Sequence, residues 1–330
     1  MARAERGHPG VLDRLGRVET FGDVACGEHD GRACAVGIRE ARGEGVVGQR
    51  RDPETSHPAR RPLRSARIAL RHRAAAQPFS SGTTMAISDA DLERYLALAC
   101  EAARSTRAIL EAGQRHRRAP ASQIGRDIKL QEDAESEAVI RARLAAGSPF
   151  PVLGEEGGWG GGEAGAGDAP AWVVDPLDGS FNYFAGIPIY GVAIALCAGR
   201  RPLLGAIYHP DRDEMFAGGP GLGLRIDGER IEPPAARGQI VATGFPSQAD
   251  VAKTSVHVAE LARDWKKLRM LGSAAISLAW VAAGRLDAYS EHNIMWWDVA
   301  AGLALAEAVG ARRIEVESLG GHALNVTVAR

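Results

Sequence analysis

Acidic residues stand at the ends of several predicted helices and strands, where their carboxylates could share one site. They are Asp133, Glu155, Glu156, Asp175, Asp178 and Asp298. Any one of them is most simply explained as a solvated surface acid. That explanation is weaker for Asp175 and Glu156, because each closely follows an apolar run that is typical of a buried strand. It is also weaker for Asp298, which apolar residues flank on both sides.

Carboxylates gathered in a half-buried site would repel one another, and some would be forced to take up a proton. A hard divalent cation removes that repulsion, and a site built from oxygen ligands suits Mg²⁺. Zinc is a poorer candidate, because the four cysteines are scattered and form neither a CxxC pair nor a Cys/His cluster. The scattered cysteines also predict reduced thiols.

The segment 172–184 adds features of a phosphate site to these acids. A buried strand is predicted to end at Val174, directly before Asp175, and a turn marked by proline and glycine leads past Asp178. Ser180 then opens a short helical turn, whose first backbone N–H groups have no intrahelical partners. Two carboxylates beside such donors are expected where divalent cations and a phosphate meet.

The periodicity of the chain predicts the elements that position these residues. Ser88 is predicted to cap a helix that runs to about Gly113, and a second helix is predicted to end at Gly147. Further strands are predicted near 150–153, 171–174, 190–198, 203–209, 213–217, 239–243, 268–271, 286–289, 312–317 and 323–328, and helices at 248–264, 272–283 and 298–309, with turn-rich segments at 157–168 and 218–223. The elements alternate in groups, which favours stacked layers of helices and mixed sheets.

The composition is ordinary for a soluble globular protein. Of the 330 residues, 45% are hydrophobic and 25% charged, and the formal net charge is −1. This charge gives no reason to expect nucleic acid or acidic lipid as a partner. The chain has no apolar stretch near the ~20 residues that cross a bilayer, and its N-terminus lacks the apolar segment of a signal peptide. We therefore expect a cytoplasmic protein with neither nucleic acid nor a membrane as partner.

Residues 1–84 differ from the rest of the chain. They contain fifteen Arg, ten Asp or Glu and no Lys, and their apolar residues follow no sustained period. This composition predicts a poorly ordered, Arg-rich extension. An arm that binds nucleic acid is a weaker interpretation, because such arms usually mix Lys with Arg and carry fewer acids. Met85, which directly precedes the predicted first helix, is hypothesised to be the natural start.

Four motifs resemble those of the inositol monophosphatase family. They are Gly154-Glu-Glu156, Trp172-Val-Val-Asp-Pro-Leu-Asp-Gly-Ser180 with Asn182, Gly272-Ser-Ala-Ala275, and Trp297-Asp298-Val-Ala-Ala-Gly302. They stand in the family's order and approximate spacing, so that the likeness covers roughly residues 88–330. The resemblance implies an α/β fold of the layered αβαβα type shared with fructose-1,6-bisphosphatase, here a phosphatase-like domain over 85–330, usually assembled as a homodimer.

The resemblance also implies an Mg²⁺-dependent, lithium-sensitive phosphatase that holds two or three ions. Glu156, Asp175 and the Leu177 carbonyl resemble the ligands of the first ion. Asp175, Asp178 and Asp298 resemble those of the second, so that Asp175 bridges the two. Glu156 would also serve a third, weaker ion, and Asp178 and Asp298 would also face the substrate.

Other residues are assigned to catalysis and substrate by the same resemblance. Asp133 and Ser180 match an Asp–Thr pair that orients the attacking water. The N–H groups of Gly179 and Ser180, with the loop at Ala275, would hold phosphate oxygens. Glu291, seven residues before Asp298 in the chain, matches a carboxylate that contacts substrate hydroxyls.

The chain departs from the family pattern at two places that bear on the site. The hydroxyl at position 180 belongs to Ser instead of Thr, and Ser lacks the methyl group that stiffens χ1. The segment Asp127-Ile-Lys-Leu-Gln-Glu-Asp133 stands where the family usually has Asp-x-Val-Thr-x-x-Asp, so that Leu130 replaces the Thr. The second departure concerns the third ion, while the two principal ions keep every ligand.

The predicted function is hydrolysis of a small polyol or sugar phosphate, such as inositol-1-phosphate, by water that Mg²⁺ activates. Within the same class, the alternatives are a sugar bisphosphatase, a histidinol-phosphate phosphatase and a 3′-phosphoadenosine nucleotide phosphatase. Glu291 favours a substrate rich in hydroxyls. The alternative from another class is a catalytically silent protein that binds metal or phosphate and regulates a partner. A silent relative is expected to have lost at least one of the key acids, and this chain keeps them all.

Overall fold

The structure, a computed structural model, describes residues 87–116, 120–124, 127–160, 167–246 and 250–330. The predicted extension over 1–84 and the proposed start at Met85 lie outside these residues. In the described ranges, no helix combines the length and the apolar character that a membrane span requires.

The first helices follow the N-cap signal but not the predicted length. Helix α1 (Asp89–Arg104) begins after Ser88, whose hydroxyl accepts a hydrogen bond from the Asp91 N–H at 3.1 Å. The prediction of one helix reaching Gly113 is wrong, because α1 ends and α2 (Arg107–His116) begins after a two-residue turn. Both turn residues carry hydroxyls that bond to nearby carbonyls, and such bonds compete with the helical ladder.

A small hairpin and a long helix come next. Strands β1 (Ser122–Ile124) and β2 (Asp127–Lys129) pair antiparallel, and α3 (Gln131–Gly147) follows after one residue. The α3 N-terminus is capped from within, because the Asp133 carboxylate accepts the Leu130 N–H at 2.7 Å. A carboxylate in the first helical turn is also favoured by the helix dipole.

The larger sheet has seven strands in the order β3-β4-β5-β6-β7-β8-β9. Its neighbouring strands are antiparallel except for the parallel pair β3 and β4. The strands are β3 (Val152–Gly154), β4 (Pro170–Asp178), β5 (Gly191–Ala198), β6 (Arg201–His209), β7 (Glu214–Gly219), β8 (Gly223–Ile226) and β9 (Glu229–Ile231). The short helix α4 (Ser180–Ala185) lies between β4 and β5.

The second sheet has five strands in the order β11-β10-β12-β14-β13. Strand β10 is parallel to both of its neighbours, and the remaining pairs are antiparallel. The strands are β10 (Ile240–Thr243), β11 (Lys267–Met270), β12 (Ala288–Met295), β13 (Arg313–Gly320) and β14 (Ala323–Ala329).

Helices cover both faces of each sheet and form layers. Helices α1 and α3 pack on one face of the larger sheet, while α6 (Ala274–Ala282) and α7 (Trp296–Ala308) contact both sheets. On β12, Tyr289 joins the cluster around α6 and α7, and the next residue, Ser290, contacts His257 of α5 (Val251–Asp264). The order is therefore α, β, α, β, α, which confirms the predicted layered sandwich.

Strand β4 illustrates why the site-bearing strand is buried on both faces. Val173 packs in the cluster that contains α6 and α7, while Trp172 and Val174 pack with α1 and α3. A strand with helices on both faces has no reason to alternate polar with apolar residues. The predicted end of this strand at Val174 is too early, because β4 continues through Asp178.

Two further differences from the predicted elements have local causes. Strands β8 and β9 form a short hairpin that was not predicted. The hairpin begins at the last residue of the glycine-rich segment 218–223, which was predicted as a turn. Strand β12 runs to Met295, well beyond the predicted end at Tyr289, and carries Glu291 in a strand instead of a loop. The polar residues of β12 gave no alternating pattern from which a strand could be predicted.

Close packing of β6 against α7 gives a first testable prediction. A Cβ at Gly205 would lie 2.4 Å from the carbonyl oxygen of Ala301, and backbone atoms have no flexible end that could move away. Gly205→Ala is therefore expected to lower the free energy of unfolding by about 1–3 kcal/mol, as measured by urea denaturation. Gly147→Ala is the control, since its Cβ would meet the methyl groups of Leu98. Equal losses in both variants would contradict the tight β6–α7 contact.

Candidate active site

The end of β4 places the first acids. The β4–β5 register shifts between Asp175 and Asp178, so that the strand is irregular where both carboxylates occur. The Asp175 carboxylate accepts the Leu177 N–H at 3.0 Å, which fixes this irregular segment. Gly179 follows with φ of 88° and would place a Cβ 2.9 Å from the Gly272 carbonyl oxygen. Glycine is therefore required where the chain turns into α4.

Three carboxylates converge at this point. Glu155 after β3, Asp175 on β4 and Asp298 in the first turn of α7 bring oxygens within 4.8 Å of one another. Asp298 is held there because its carboxylate accepts the Met295 N–H at 3.1 Å. In the described part of the chain, this is the group of acids, histidines or cysteines whose spacing could hold a metal ion. The predicted gathering of Asp175 and Asp298 is therefore present.

Burial and mutual repulsion change the acidity of this cluster. Burial first, and then the charges of Glu155, Asp178 and Asp298, raise the pKa of Asp175 well above its usual range. Burial and the charges of Glu155 and Asp178 do the same to the pKa of Asp298. Without a cation, the cluster therefore favours protonated carboxyls. This protonation was predicted from the sequence, because carboxylates gathered in one site repel one another.

Asp178 is held differently from the other acids. Its carboxylate accepts the Ser273 hydroxyl and the N–H groups of Ala274 at 3.1 Å and Ala275 at 2.9 Å. These three donors belong to the N-terminus of α6, whose dipole favours a negative charge. Burial raises the pKa of Asp178 to about 6, and the Ser273 hydrogen bond limits the rise. Ala275, whose loop is predicted to hold phosphate, donates its N–H to the Asp178 carboxylate.

Glu156, the predicted ligand, is not part of the carboxylate group, and its neighbour Glu155 is. Lys129 at the end of β2 donates to Glu155 Oε1 at 2.7 Å and to Glu156 Oε1 at 2.5 Å. Burial disfavours the charged form of this lysine, but the two glutamates outweigh it and raise the pKa of Lys129. The sequence offers no basis for choosing between these neighbours, because the turn after Gly154 ends the strand alternation that would fix which side chain points inward.

A buried ion pair on α3 fixes this turn. The Glu137 carboxylate accepts the N–H of Glu156 at 2.8 Å and that of Gly157 at 2.9 Å. Arg141 bonds to Glu137 at 2.8 Å and also to the Val152 carbonyl at 2.9 Å, so that it joins α3 to β3. The i,i+4 spacing of the pair is local, but its contacts with β3 and the turn join residues 11 to 20 positions apart, for which the sequence carries no signal.

Asp133 and Ser180 lie together as predicted, although loosely. The Ser180 hydroxyl is 3.4 Å from Asp133 Oδ1 and donates at 2.9 Å to the Leu177 carbonyl, the predicted backbone ligand. Burial raises the pKa of Asp133 to about 7, the Leu130 hydrogen bond opposes this, and the nearby glutamates reinforce it. A carboxylate with this pKa can accept a proton near neutral pH.

Glu291 reaches the site from the five-stranded sheet. The Tyr289 hydroxyl donates to its carboxylate at 2.7 Å, and Gly244 leaves it room, since a Cβ there would lie 2.2 Å from Glu291 Oε2. Glu291 lines a cavity of about 420 Å³ together with Asp175, Asp178 and Asp298. Burial raises the pKa of Glu291 to about 7. The predicted substrate carboxylate and the acids of the cluster therefore share one cavity.

The raised pKa values predict how the stability of the metal-free protein depends on pH. Folded Glu291 keeps its proton to about pH 7, whereas the unfolded chain releases it near 4.5. Stability therefore falls as the pH rises from about 4.5 to 7, by roughly 3 kcal/mol for this group. Asp133 contributes in the same direction. Melting temperatures of EDTA-treated protein are expected to decrease over this range.

The variant Glu291→Gln is expected to reduce that slope, because the amide does not titrate. Glu229→Gln, on the exposed strand β9, is the control and keeps the wild-type slope. Melting temperatures of the metal-free Glu291→Gln and wild-type proteins that fall in parallel would contradict the raised pKa of Glu291.

Comparison with known proteins gives the family. The model of the inositol monophosphatase family matches residues 91–323. Inositol-1-monophosphatase SuhB of Mycobacterium tuberculosis is 36% identical over 214 residues, 60% of this chain and 72% of that protein. Nus factor SuhB of Escherichia coli is 36% identical over 209 residues, 61% of this chain and 76% of that protein.

Solved structures agree with the sequence comparison. The extragenic suppressor protein suhB of Bartonella henselae matches with a TM-score of 0.62 and 26% identity, over 72% of this chain and 93% of that chain. An IMPase of Thermotoga maritima matches with a TM-score of 0.60 and 25% identity, over 71% of this chain and 91% of that chain. With its layered fold and its converging acids, the chain belongs to the inositol monophosphatase family and is a phosphoric monoester hydrolase.

Proposed function

We propose that the protein is an Mg²⁺-dependent phosphomonoesterase that acts on a small polyol or sugar phosphate. The observation that carries this proposal is the convergence of Glu155, Asp175 and Asp298 from three separate elements. Three ionised carboxylates brought this close are unfavourable unless a cation joins them. Their position in a cavity of about 420 Å³ leaves room for a substrate beside that cation.

The residues present fit magnesium. Every side-chain donor of the group is a carboxylate oxygen, and Mg²⁺ prefers such ligands. We propose that Glu155, in the place predicted for Glu156, joins Asp175 and the Leu177 carbonyl at a first ion. Asp175, Asp178 and Asp298 would hold a second, for which Asp178 must share its carboxylate with the α6 N-terminus.

The bound ions would supply charge stabilisation and a nucleophilic water at neutral pH. The chain itself would position that water between Asp133 and Ser180, with Asp133 Oδ1 able to take up its proton. The N–H groups of Gly179 and Ser180, at the start of α4, would hold phosphate oxygens. Little covalent chemistry is needed, because positioning and electrostatics supply most of the acceleration in phosphoryl transfer.

Glu291 supports a substrate that presents hydroxyl groups. Its carboxylate lies in the cavity and is oriented by Tyr289, so that it can accept hydrogen bonds from a polyol. The M. tuberculosis relative is named an inositol-1-monophosphatase, which favours inositol-1-phosphate. A sugar bisphosphate, histidinol phosphate and a 3′-phosphoadenosine nucleotide are the competing substrates.

A regulatory function is the second candidate, because two enterobacterial relatives carry the name Nus factor. The retention of Asp175, Asp178 and Asp298 favours catalysis over a silent relative. The homodimer that the family resemblance implies and the cytoplasmic location expected from the composition both remain predictions.

Two neighbouring glutamates provide a matched test of the site. Glu155→Gln is expected to lower kcat for inositol-1-phosphate at least about hundredfold, because it removes a ligand and its charge. Asp175→Asn should lose as much or more. Glu156→Gln should lose less than about tenfold, because this side chain bonds to Lys129 and not to the cluster. Released phosphate measures all three, and full activity in Asp175→Asn or Glu155→Gln would contradict the assigned site.

A substrate panel tests the proposed activity itself. Inositol-1-phosphate, fructose-1,6-bisphosphate, histidinol phosphate and adenosine 3′,5′-bisphosphate are compared by kcat/KM with Mg²⁺ present. We expect the highest value for inositol-1-phosphate, no hydrolysis with EDTA and inhibition by Li⁺. Hydrolysis that survives EDTA would rule out the metal-dependent mechanism, and a preference for the adenine nucleotide would overturn the proposed substrate class.

A further inference from the structure

Lys129 introduces a positive charge into the carboxylate site. It is the last residue of β2, its side chain lines the same cavity as Asp175 and Asp298, and 34% of that side chain is exposed. The distance from Nζ to Glu155 Oε1 is 2.7 Å and that to Glu156 Oε1 is 2.5 Å. The ammonium group is therefore held between a member of the acid cluster and the neighbouring acid.

A contribution to stability does not explain this placement. Ion pairs that reach solvent typically contribute about 0–1 kcal/mol, and Glu137 already holds the turn that carries both glutamates. A lysine beside the acid cluster has a more specific effect. Its ammonium group lies against Glu155 Oε1, where a further cation beside Glu155 would otherwise be attracted.

Leu130, the next residue, also provides no ligand for a cation. Leu130 is 4% exposed and packs in the core cluster that contains α1 and α3, so that its side chain offers no oxygen to an ion. Lys129 and Leu130 therefore supply an ammonium group and a buried apolar side chain, and neither can be a ligand for a divalent cation. Glu156 remains as an acid beside Glu155, and Lys129 neutralises it.

We propose that Lys129 is a built-in cation that takes the place of a third divalent ion beside Glu155. The site then takes two exchangeable ions per chain, and Glu156 anchors the lysine instead of a metal. This inference rests on the proposed metal-dependent function. It makes Lys129 a positioning residue, because it would act by fixing the number and place of the ions.

Counting bound Mn²⁺ tests the inference directly. Equilibrium dialysis of the full chain, with electron paramagnetic resonance to measure free Mn²⁺, is expected to give two ions per wild-type chain. Lys129→Met keeps the apolar stem and removes the charge. This variant should therefore gain a third ion, which binds at least tenfold more weakly than the first two. Lys129→Arg restores the charge and should return the count to two.

Each outcome decides between the inference and its alternatives. Three ions in the wild-type chain, or an unchanged count of two in Lys129→Met, would overturn the inference and leave the proposed phosphatase standing. A wild-type chain that binds no Mn²⁺ would overturn both. Lys129→Gln provides a second neutral variant, and urea denaturation of both neutral variants shows whether the count comes from folded protein.

Discussion

Repulsion between buried carboxylates is the constraint on which the rest of the site depends. Two unit charges 4.8 Å apart repel by about 3.5 kcal/mol at an effective dielectric constant of about 20. Flexible side chains would separate to avoid this, so the fold must hold them together. Glu155 and Asp175 come from a turn and a strand of the larger sheet and Asp298 from helix α7, and each is restrained by backbone hydrogen bonds close by.

The protein relieves this repulsion in two ways that do not need a bound ion. Asp178 is turned toward the N-terminus of α6, where a hydroxyl and two N–H groups satisfy its carboxylate. Glu155 is paired with Lys129, whose ammonium group lies 2.7 Å from Oε1. Asp175 and Asp298 have neither kind of partner among these contacts, and burial raises their pKa values well above the usual range. They are therefore the acids that gain most from a shared cation.

The sequence predicted the layered fold and most of the acids, because both depend on local signals. Asp175 and Asp298 were identified because apolar residues precede them. Ser88 was identified because few residue types are favoured at a helix N-cap. The sequence could not decide between Glu155 and Glu156, because the turn after β3 has no strand alternation to follow. Contacts such as Ser273 with Asp178, 95 residues apart, were missed because no local pattern encodes a partner in another layer.

The origin of each residue suggests how hydrolysis and recognition are separated in this fold. Glu155 and Asp175 belong to the seven-stranded sheet and its turns, and Asp298 to the central helix α7. Glu291, the acid proposed for the substrate, belongs to the five-stranded sheet and takes its orientation from Tyr289 on the same strand. Changes in the second sheet can therefore alter which alcohol is recognised while the converging carboxylates stay in place. Because α6 and α7 contact both sheets, their packing sets the distance between the two functions.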